Sequence, residues 1–406
     1  MPVLIQKFGG TSVSTSDARA AAIRHVLRAR EQNYSVVVVV SAMGREPDPY
    51  ATDTFLGLLK GKGKRTTQRD QDLVASCGEI IAAGVFAAEL RQELPEAVML
   101  TGWQAGIVTD NTYGNARIVQ IKPARIRSLL ESGHTVVVAG FQGMCPAAED
   151  TFEVTTLGRG GSDTTAVALG VALGAAAVEI YTDVPGIMTA DPQLVPEAKV
   201  IPTMDYSEVL QLAYEGAQVI HSRAVELALQ SNIPLRVKCN QGSDPGTTVT
   251  SAVLSEKRRT QPVIAVANRQ GLAQVALTPC QPSPDLDQAI FAALSKAGIS
   301  ADLINISPDY KRFAVKNEDI APVESALVGL PARMQFRSDL AKVSIIGIGM
   351  RGVPGIMARV TRAAHAAKAP ILQTSDSHMT ISCLVDEADL PSIVNALHRQ
   401  FDLAAL

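Results

Sequence analysis

The sequence predicts an α/β protein: an αβα sandwich on a mostly parallel sheet, followed by two small βαββαβ units. Three observations carry this. Over roughly the first 250 residues, β-branched runs alternate with segments of helical apolar spacing. Two of those runs, Ser35–Ser41 (SVVVVVS) and Thr135–Phe141 (TVVVAGF), have no polar face, as expected of strands covered on both sides. After residue 262 a strand, helix, two strands, helix pattern occurs twice, offset by about 70 residues. Asp319-Ile320 and Ala326-Leu327 in the first copy correspond to Asp389-Leu390 and Ala396-Leu397 in the second.

The elements follow in order. Val3–Phe8 is a short apolar strand, and Asp17–Gln32 has helical spacing with Ser14 or Ser16 as its expected N-cap. Ser35–Ser41 is a strand, Arg69–Gln92 a helix, Thr135–Phe141 a strand, Asp163–Gly174 a small-residue helix and Val178–Thr182 a strand. In such sheets ligands bind beyond the carboxyl ends of the strands. Segment Ser251–Pro262 is polar and charged and reads as a connector. The repeated units begin with strands Val263–Ala267 and Lys342–Ile348 and continue into helices Leu286–Ala297 and Ile356–Lys368. Each is too small to bury much apolar surface alone, so the two are expected to pair side by side. Thr247–Leu254 is a candidate extra strand for the second unit. The domain expectation is 1–250, a 251–261 linker, 262–335 and 340–406.

Composition removes several function classes. The 37 basic and 40 acidic residues give a net charge of -3, without the basic excess of a nucleic-acid binder. Ala166–Val178, the longest near-apolar stretch read from the sequence, is shorter than the roughly 18 residues of a membrane span. Residues 1–4 lack a basic region and apolar core, so no signal peptide is expected. The five cysteines include no CxxC pair, which fits reduced thiols in the cytoplasm.

Two glycine-bearing bends carry the chemistry. Lys7-Phe8-Gly9-Gly10-Thr11-Ser12 lies between a strand and a helix, where glycines let backbone N–H groups approach a phosphate and Lys7 adds a full positive charge. No GxxxxGK[ST] sequence occurs. Thr156-Leu157-Gly158-Arg159-Gly160-Gly161-Ser162-Asp163 again precedes a helix. Ser162 or Asp163 as a helix cap is the plainer reading, but a cap needs neither Arg159 nor three glycines. An arginine fork suits bidentate capture of a carboxylate or phosphate. Two such loops in one domain point to a bisubstrate site. Tyr181–Pro192 leaves a strand end and by itself reads as a turn-rich loop. Ser41-Ala42-Met43-Gly44, Thr52 and Glu79 say little alone, and a lone helical Glu79 is ordinarily a solvated residue. Gly347-Ile348-Gly349-Met350-Arg351-Gly352 matches GxGxxG, but the chain after it is too short for a dinucleotide-binding domain.

In their order KFGGTSV, VVVVVSAMG, SCGE, TLGRGGSDTTA, YTDVPGIMTADP and GAQVIHSRAVELA, these segments resemble the monofunctional aspartate kinase family of the amino-acid kinase fold. The tail, through KVSIIGIGMRGVPGIMARV and TISCLVDEADL, is similar to paired ferredoxin-like ACT domains. DPYATD and TSDSHMTISCLV look most like the Gram-positive, diaminopimelate-responsive type. The resemblance implies ATP with Mg²⁺ and L-aspartate as substrates and 4-phospho-L-aspartate as product. It implies inhibition by an end product (diaminopimelate, lysine or threonine) through the ACT domains, and a homodimer or larger assembly. Nothing in it calls for nucleic acid or membrane.

By that resemblance Lys7, Gly9, Gly10 and Ser41 handle ATP phosphates. Thr52, Glu79, Arg159, Gly160, Ser162 and Asp163 bind aspartate, and Thr182, Asp183, Ile187, Met188, Asp191 and Pro192 line the nucleotide site. Lys7, Arg159 and Asp163 are the catalytic set. Effector residues are Asp285, Gly352, Val353 and Ile356, in loops Gln281–Leu286 and Met350–Ile356. Gln218, Ser222 and Pro185 depart from the family pattern, where a lysine, a proline and an acidic residue are common. The alternatives are a kinase of the same fold for another amino acid and a catalytically weak ACT-bearing sensor, which a substrate panel and a turnover assay separate.

Overall fold

The computed structural model describes residues 1–59, 66–147, 151–217, 219–242, 244–251, 262–281, 284–350 and 352–405. They fall into two compact units. The first holds Met1–Ile187, Val200–Ala213 and the chain from 219 to 251; the second holds Met188–Lys199, Tyr214–Ala217 and the chain from 262 on.

The first unit is built on an eight-stranded sheet. In chain order its strands and those of a smaller four-stranded sheet are β1 (Val3–Phe8), β2 (Ser35–Val40), β3 (Ala97–Leu100), β4 (Ile107–Thr109), β5 (Ile118–Ile121), β6 (Thr135–Ala139), β7 (Gln142–Pro146), β8 (Phe152–Thr156), β9 (Ala177–Thr182), β10 (Thr203–Met204), β11 (Leu235–Cys239) and β12 (Thr247–Val249). The large sheet runs β10-β12-β11-β9-β1-β2-β6-β3 and the small one β5-β4-β7-β8. In the large sheet only β11 and β12 pair antiparallel. Every residue of β2 is buried, so its valine run serves both faces.

Helices α1 (Gly10–Val13), α2 (Ser16–Glu31), α3 (Thr52–Gly57), α4 (Gln68–Leu90), α5 (Ala124–Glu131), α6 (Gly161–Leu173), α7 (Tyr206–Glu215) and α8 (Ser222–Ser231) accompany these strands. The N-cap of α2 is Thr15, whose Oγ1 accepts from Ala18 N–H, rather than either flanking serine. Thr67 and Asp70 form a reciprocal capping box on α4. By length and composition α4 would also cross a bilayer. Here it buries Phe86, Leu90 and three alanines against Phe8, Val36, Val38 and Val40 of the sheet.

The second unit carries a six-stranded antiparallel sheet. Its elements are β13 (Ala265–Pro279), α9 (Pro284–Lys296), β14 (Asp302–Ile306), β15 (Lys311–Lys316), α10 (Ile320–Leu327), β16 (Ala332–Ile346), α11 (Ile356–Ala367), β17 (Gln373–Asp376), β18 (Thr380–Asp386) and α12 (Leu390–Gln400). The strand order is β14-β15-β13-β16-β18-β17. Here the strand assignment needs correcting. Val263–Ala267 is not a separate first strand of the first repeat. β13 is one 15-residue strand whose early half pairs with Lys342–Ile346 and whose later half pairs with Ala332–Leu340 and β15. Register shifts between Arg269 and Gln274 mark the change. Val263 and Val266 therefore join the core of α11 and α12, while Ala273, Val275 and Leu277 join that of α9 and α10. Of the candidate extra strand Thr247–Leu254, residues Thr247–Val249 do not join the second unit's sheet. Thr247–Val249 pairs with β11 and β10 in the large sheet of the first unit, and 252–261 lie outside the described residues.

Two short segments from the middle of the chain are part of this second unit. Thr189 Oγ1 lies 2.9 Å from His398 Nε2, and Ala190, Val195 and Ala198 pack into the core of α11 and α12. Glu215 lies 3.0 Å from Lys342 Nζ and accepts a bond from Ser344 Oγ, while Lys342 also reaches Asp302 at 2.6 Å. Glu215, Lys342 and Ser344 are buried and partner one another, as low-dielectric surroundings favour.

Candidate active site

The carboxyl ends of β1, β2 and β9 and the turn after β8 open onto two adjoining hollows in the first unit. The larger, about 610 Å³, is lined by Lys7, Gly10, Ser41, Thr52, Glu79, Arg159, Gly160, Ser162 and Asp163, together with Asp72. The smaller, about 310 Å³, is lined by Lys7, Gly9, Gly10, Thr182 and Asp183, together with Arg45 and Val219. Lys7 belongs to both.

Local sequence explains the walls. Gly10 sits so close to the Ser41–Gly44 turn that a Cβ there would lie 2.8 Å from the carbonyl oxygens of Ala42 and Gly44. Gly44 N–H donates to Gly10 O. A larger residue would push the two loops apart. Gly160, at φ 68°, is the N-cap of α6, and a Cβ on it would overlap the His221 ring. Neither Ser162 nor Asp163 caps α6, contrary to the plainer reading of that loop. Both stand in the first turn, facing the hollow.

The charges are laid out around Lys7. Its Nζ is 2.7 Å from Asp163 Oδ1, with both side chains largely buried. Asp163 Oδ2 accepts a 3.3 Å bond from His221 N–H, which ties α6 to the start of α8. Burial pulls the His221 imidazole below its usual pKa, so it is neutral at pH 7. Arg159 is exposed in the larger hollow and, among the described residues, has no hydrogen-bond or ion-pair partner. On the exposed rim of the smaller hollow Arg45 lies 3.3 Å from Asp183.

Glu79 is not a solvated helix residue. It is 3% exposed; Oε1 accepts from Ala42 N–H at 3.1 Å and Oε2 has no hydrogen-bond partner among the described residues. Burial pushes its pKa up to about 8, against the opposing pull of the Ala42 bond and the Lys7 charge. Because the folded pKa exceeds the reference value of 4.5, stability contributed by the protonated form is complete below pH 4.5 and is lost as pH rises through about 8. Glu79→Gln is therefore expected to raise the melting temperature of the ligand-free protein at pH 9 and to leave it unchanged at pH 4.5. Equal shifts at both pH values would contradict the assignment.

The remaining sequence candidates lie elsewhere. Ile187 is buried, with its N–H bonded to Thr247 Oγ1, and Met188, Asp191 and Pro192 belong to the second unit; none lines either hollow. Asp191 instead accepts bonds from the N–H groups of Gln193, Leu194 and Val195. Asp285 is in the first turn of α9, Gly352 has φ 80°, Val353 is exposed and Ile356 is buried at the start of α11. Gln218, 282–283 and 351 lie outside the described residues. Sequence reasoning missed Asp72, Arg45 and His221. Asp72, Ala75 and Glu79 recur at helical spacing, which was the available signal for the first.

Comparison with known proteins places this geometry in context. Residues 2–239 match the amino acid kinase family and residues 335–399 an ACT domain. The chain is 42% identical over 407 residues, covering 100% of both chains, to aspartokinase 1 of Bacillus subtilis. A solved structure of E. coli aspartokinase III in complex with aspartate and ADP is similar at 25% identity and a TM-score of 0.78, covering 98% of this chain and 99% of that one. The lysine and aspartate complex of the same E. coli enzyme, in its T-state, is similar at 26% identity and a TM-score of 0.76, with the same coverage.

Proposed function

This chain belongs to the aspartokinase family, and on that premise we propose that its two adjoining hollows hold ATP and L-aspartate end to end, with Lys7 at the seam. The observation that carries the reading is that Lys7 lines both hollows, while Arg159 lines the larger one with no partner among the described residues.

The protein transfers the γ-phosphoryl group of ATP to the side-chain carboxylate of aspartate. In our reading the glycine bend at Gly9-Gly10 and Ser41 receive the phosphates, and Thr182 and Asp183 border the rest of the nucleotide. The Arg159 fork holds the α-carboxylate, with Gly160, Ser162 and Thr52 around it. Glu79 Oε2, buried and without a donor, takes the ammonium group, whose charge favours the ionised carboxyl. Asp163 fixes Lys7 Nζ. A carboxylate oxygen of aspartate attacks the γ-phosphorus, the bond to the β–γ bridging oxygen breaks, and ADP leaves with that electron pair. The acceptor is already ionised at neutral pH, so no general base is required. Catalysis is positioning and charge neutralisation. Among the described residues no three His, Cys, Asp or Glu side chains cluster to hold a metal; Mg²⁺ would enter with the nucleotide and supply charge neutralisation on its phosphates.

We assign end-product inhibition to the ACT-bearing second unit, through the loops around Asp285 and Gly352–Ile356, and place the protein in the cytoplasm as a homo-oligomer. The test is ATP- and Mg²⁺-dependent acyl phosphate formation trapped with hydroxylamine, run with aspartate and glutamate and with lysine, threonine or diaminopimelate added in turn. Aspartyl hydroxamate that one of these amino acids suppresses is expected. Folded protein that gives no hydroxamate with aspartate would count against the assignment.

A further inference from the structure

We propose that Asp72 is a positioning residue for aspartate, acting through the loop that carries Arg159. The inference rests on the reading of the larger hollow as the aspartate site. Asp72 stands two helical turns before Glu79 on α4 and is 2% exposed. Oδ2 accepts from Thr156 N–H at 2.8 Å and Oδ1 from the Thr156 hydroxyl at 2.9 Å. Gly114 N–H is shared between the two oxygens at 2.9 and 3.0 Å. Among the described residues Asp72 has no cationic partner, so its charge is held by these neutral donors alone.

The donors belong to the two chain segments that shape the arginine loop. Thr156 ends β8, three residues before Arg159. Gly114 and Asn115 form the wall behind Gly158, where a Cβ would lie 2.9 Å from Asn115 Oδ1. Ala116 N–H closes the arrangement on Thr156 O. One carboxylate thus joins α4, which also carries Glu79, to both strands of chain beneath Arg159. The groups assigned to the ammonium and the α-carboxylate of aspartate are held in register through it. The nucleotide hollow is lined by other residues.

Both oxygens act as acceptors toward the Gly114 N–H. In Asp72→Asn one oxygen becomes an NH₂, which the Thr156 hydroxyl can accept but Gly114 N–H cannot. Asp72→Ala removes every acceptor. A displacement of about 1 Å at a binding group costs on the order of 100-fold. Asp72→Ala is therefore expected to raise the aspartate KM about 100-fold and Asp72→Asn about 10-fold, with the ATP KM changing less than about 3-fold. Titration calorimetry with aspartate, which needs no turnover, should show the same ratios. If the alanine variant does not fold, the asparagine variant decides. Equal effects on both substrates, or a change in melting temperature with both KM values intact, would overturn the proposal and leave Asp72 a purely structural residue. If the wild type forms no hydroxamate, the kinase reading fails on its own and calorimetry alone judges Asp72. Aspartate affinity that is undetectable, or unchanged in both variants, then overturns the proposal.

Discussion

Lys7→Met is expected to reduce hydroxamate turnover by about three orders of magnitude, the largest single loss anticipated for this protein. Removing one preorganised neutral donor from a site of developing charge already costs roughly 100- to 1,000-fold. Lys7 lines both hollows, and in the proposed complex its loss also leaves Asp163 without its ion-pair partner beside the transferred phosphoryl group. The same substitution strands a largely buried carboxylate, for which a stability loss of about 3 kcal/mol is expected. The double variant Lys7→Met/Asp163→Asn separates the two effects, because it removes the stranded charge without restoring the cation. It should regain much of the melting temperature and none of the activity. Turnover above a tenth of wild type in the folded single variant would remove Lys7 from the mechanism.

Arg159→Ala should act differently. Its guanidinium is exposed and has no partner among the described residues, so thermal stability should stay within about 0.5 kcal/mol of wild type, as for most surface substitutions. The aspartate KM, in contrast, should rise about 100-fold or more, since two charge-assisted hydrogen bonds to a carboxylate are worth roughly 1.5–3 kcal/mol each. Arg159→Lys should recover little of this, because an ammonium group does not reproduce the planar fork. Steady-state kinetics at saturating ATP read the effect directly. An unchanged aspartate KM in Arg159→Ala would assign the α-carboxylate to another group.

Much of this site is legible in the sequence because its signals are local. The Gly9-Gly10 bend and the Gly158-Arg159-Gly160 loop announce themselves by glycines where one strand ends and a helix begins, and the backbone there has the close approach and positive φ that those glycines allow. The helical spacing of Asp72 with Glu79 is visible in the sequence, but the role of Asp72 is not, because an acid in a helix reads as solvated until its partners at Gly114 and Thr156 are known. Glu79 failed as a bottom-up reading for the same reason, and its chemical interest arises from burial alone.

By itself the sequence determined the alternation of strands and helices around β1, β2, β6 and β9, the two glycine-bearing bends and the family to which the chain belongs. Those depend on residues adjacent in the chain, whose conformational preferences act before any packing. The tertiary structure decided which charges meet: Lys7 with Asp163, Asp72 with Gly114 and Thr156, Glu215 with Lys342. It also divided β13 between two cores and drew Met188–Lys199 into the second unit. Burial, pairing and the resulting proton affinities are set by which strands lie side by side and what covers them. No window of neighbouring residues contains that information.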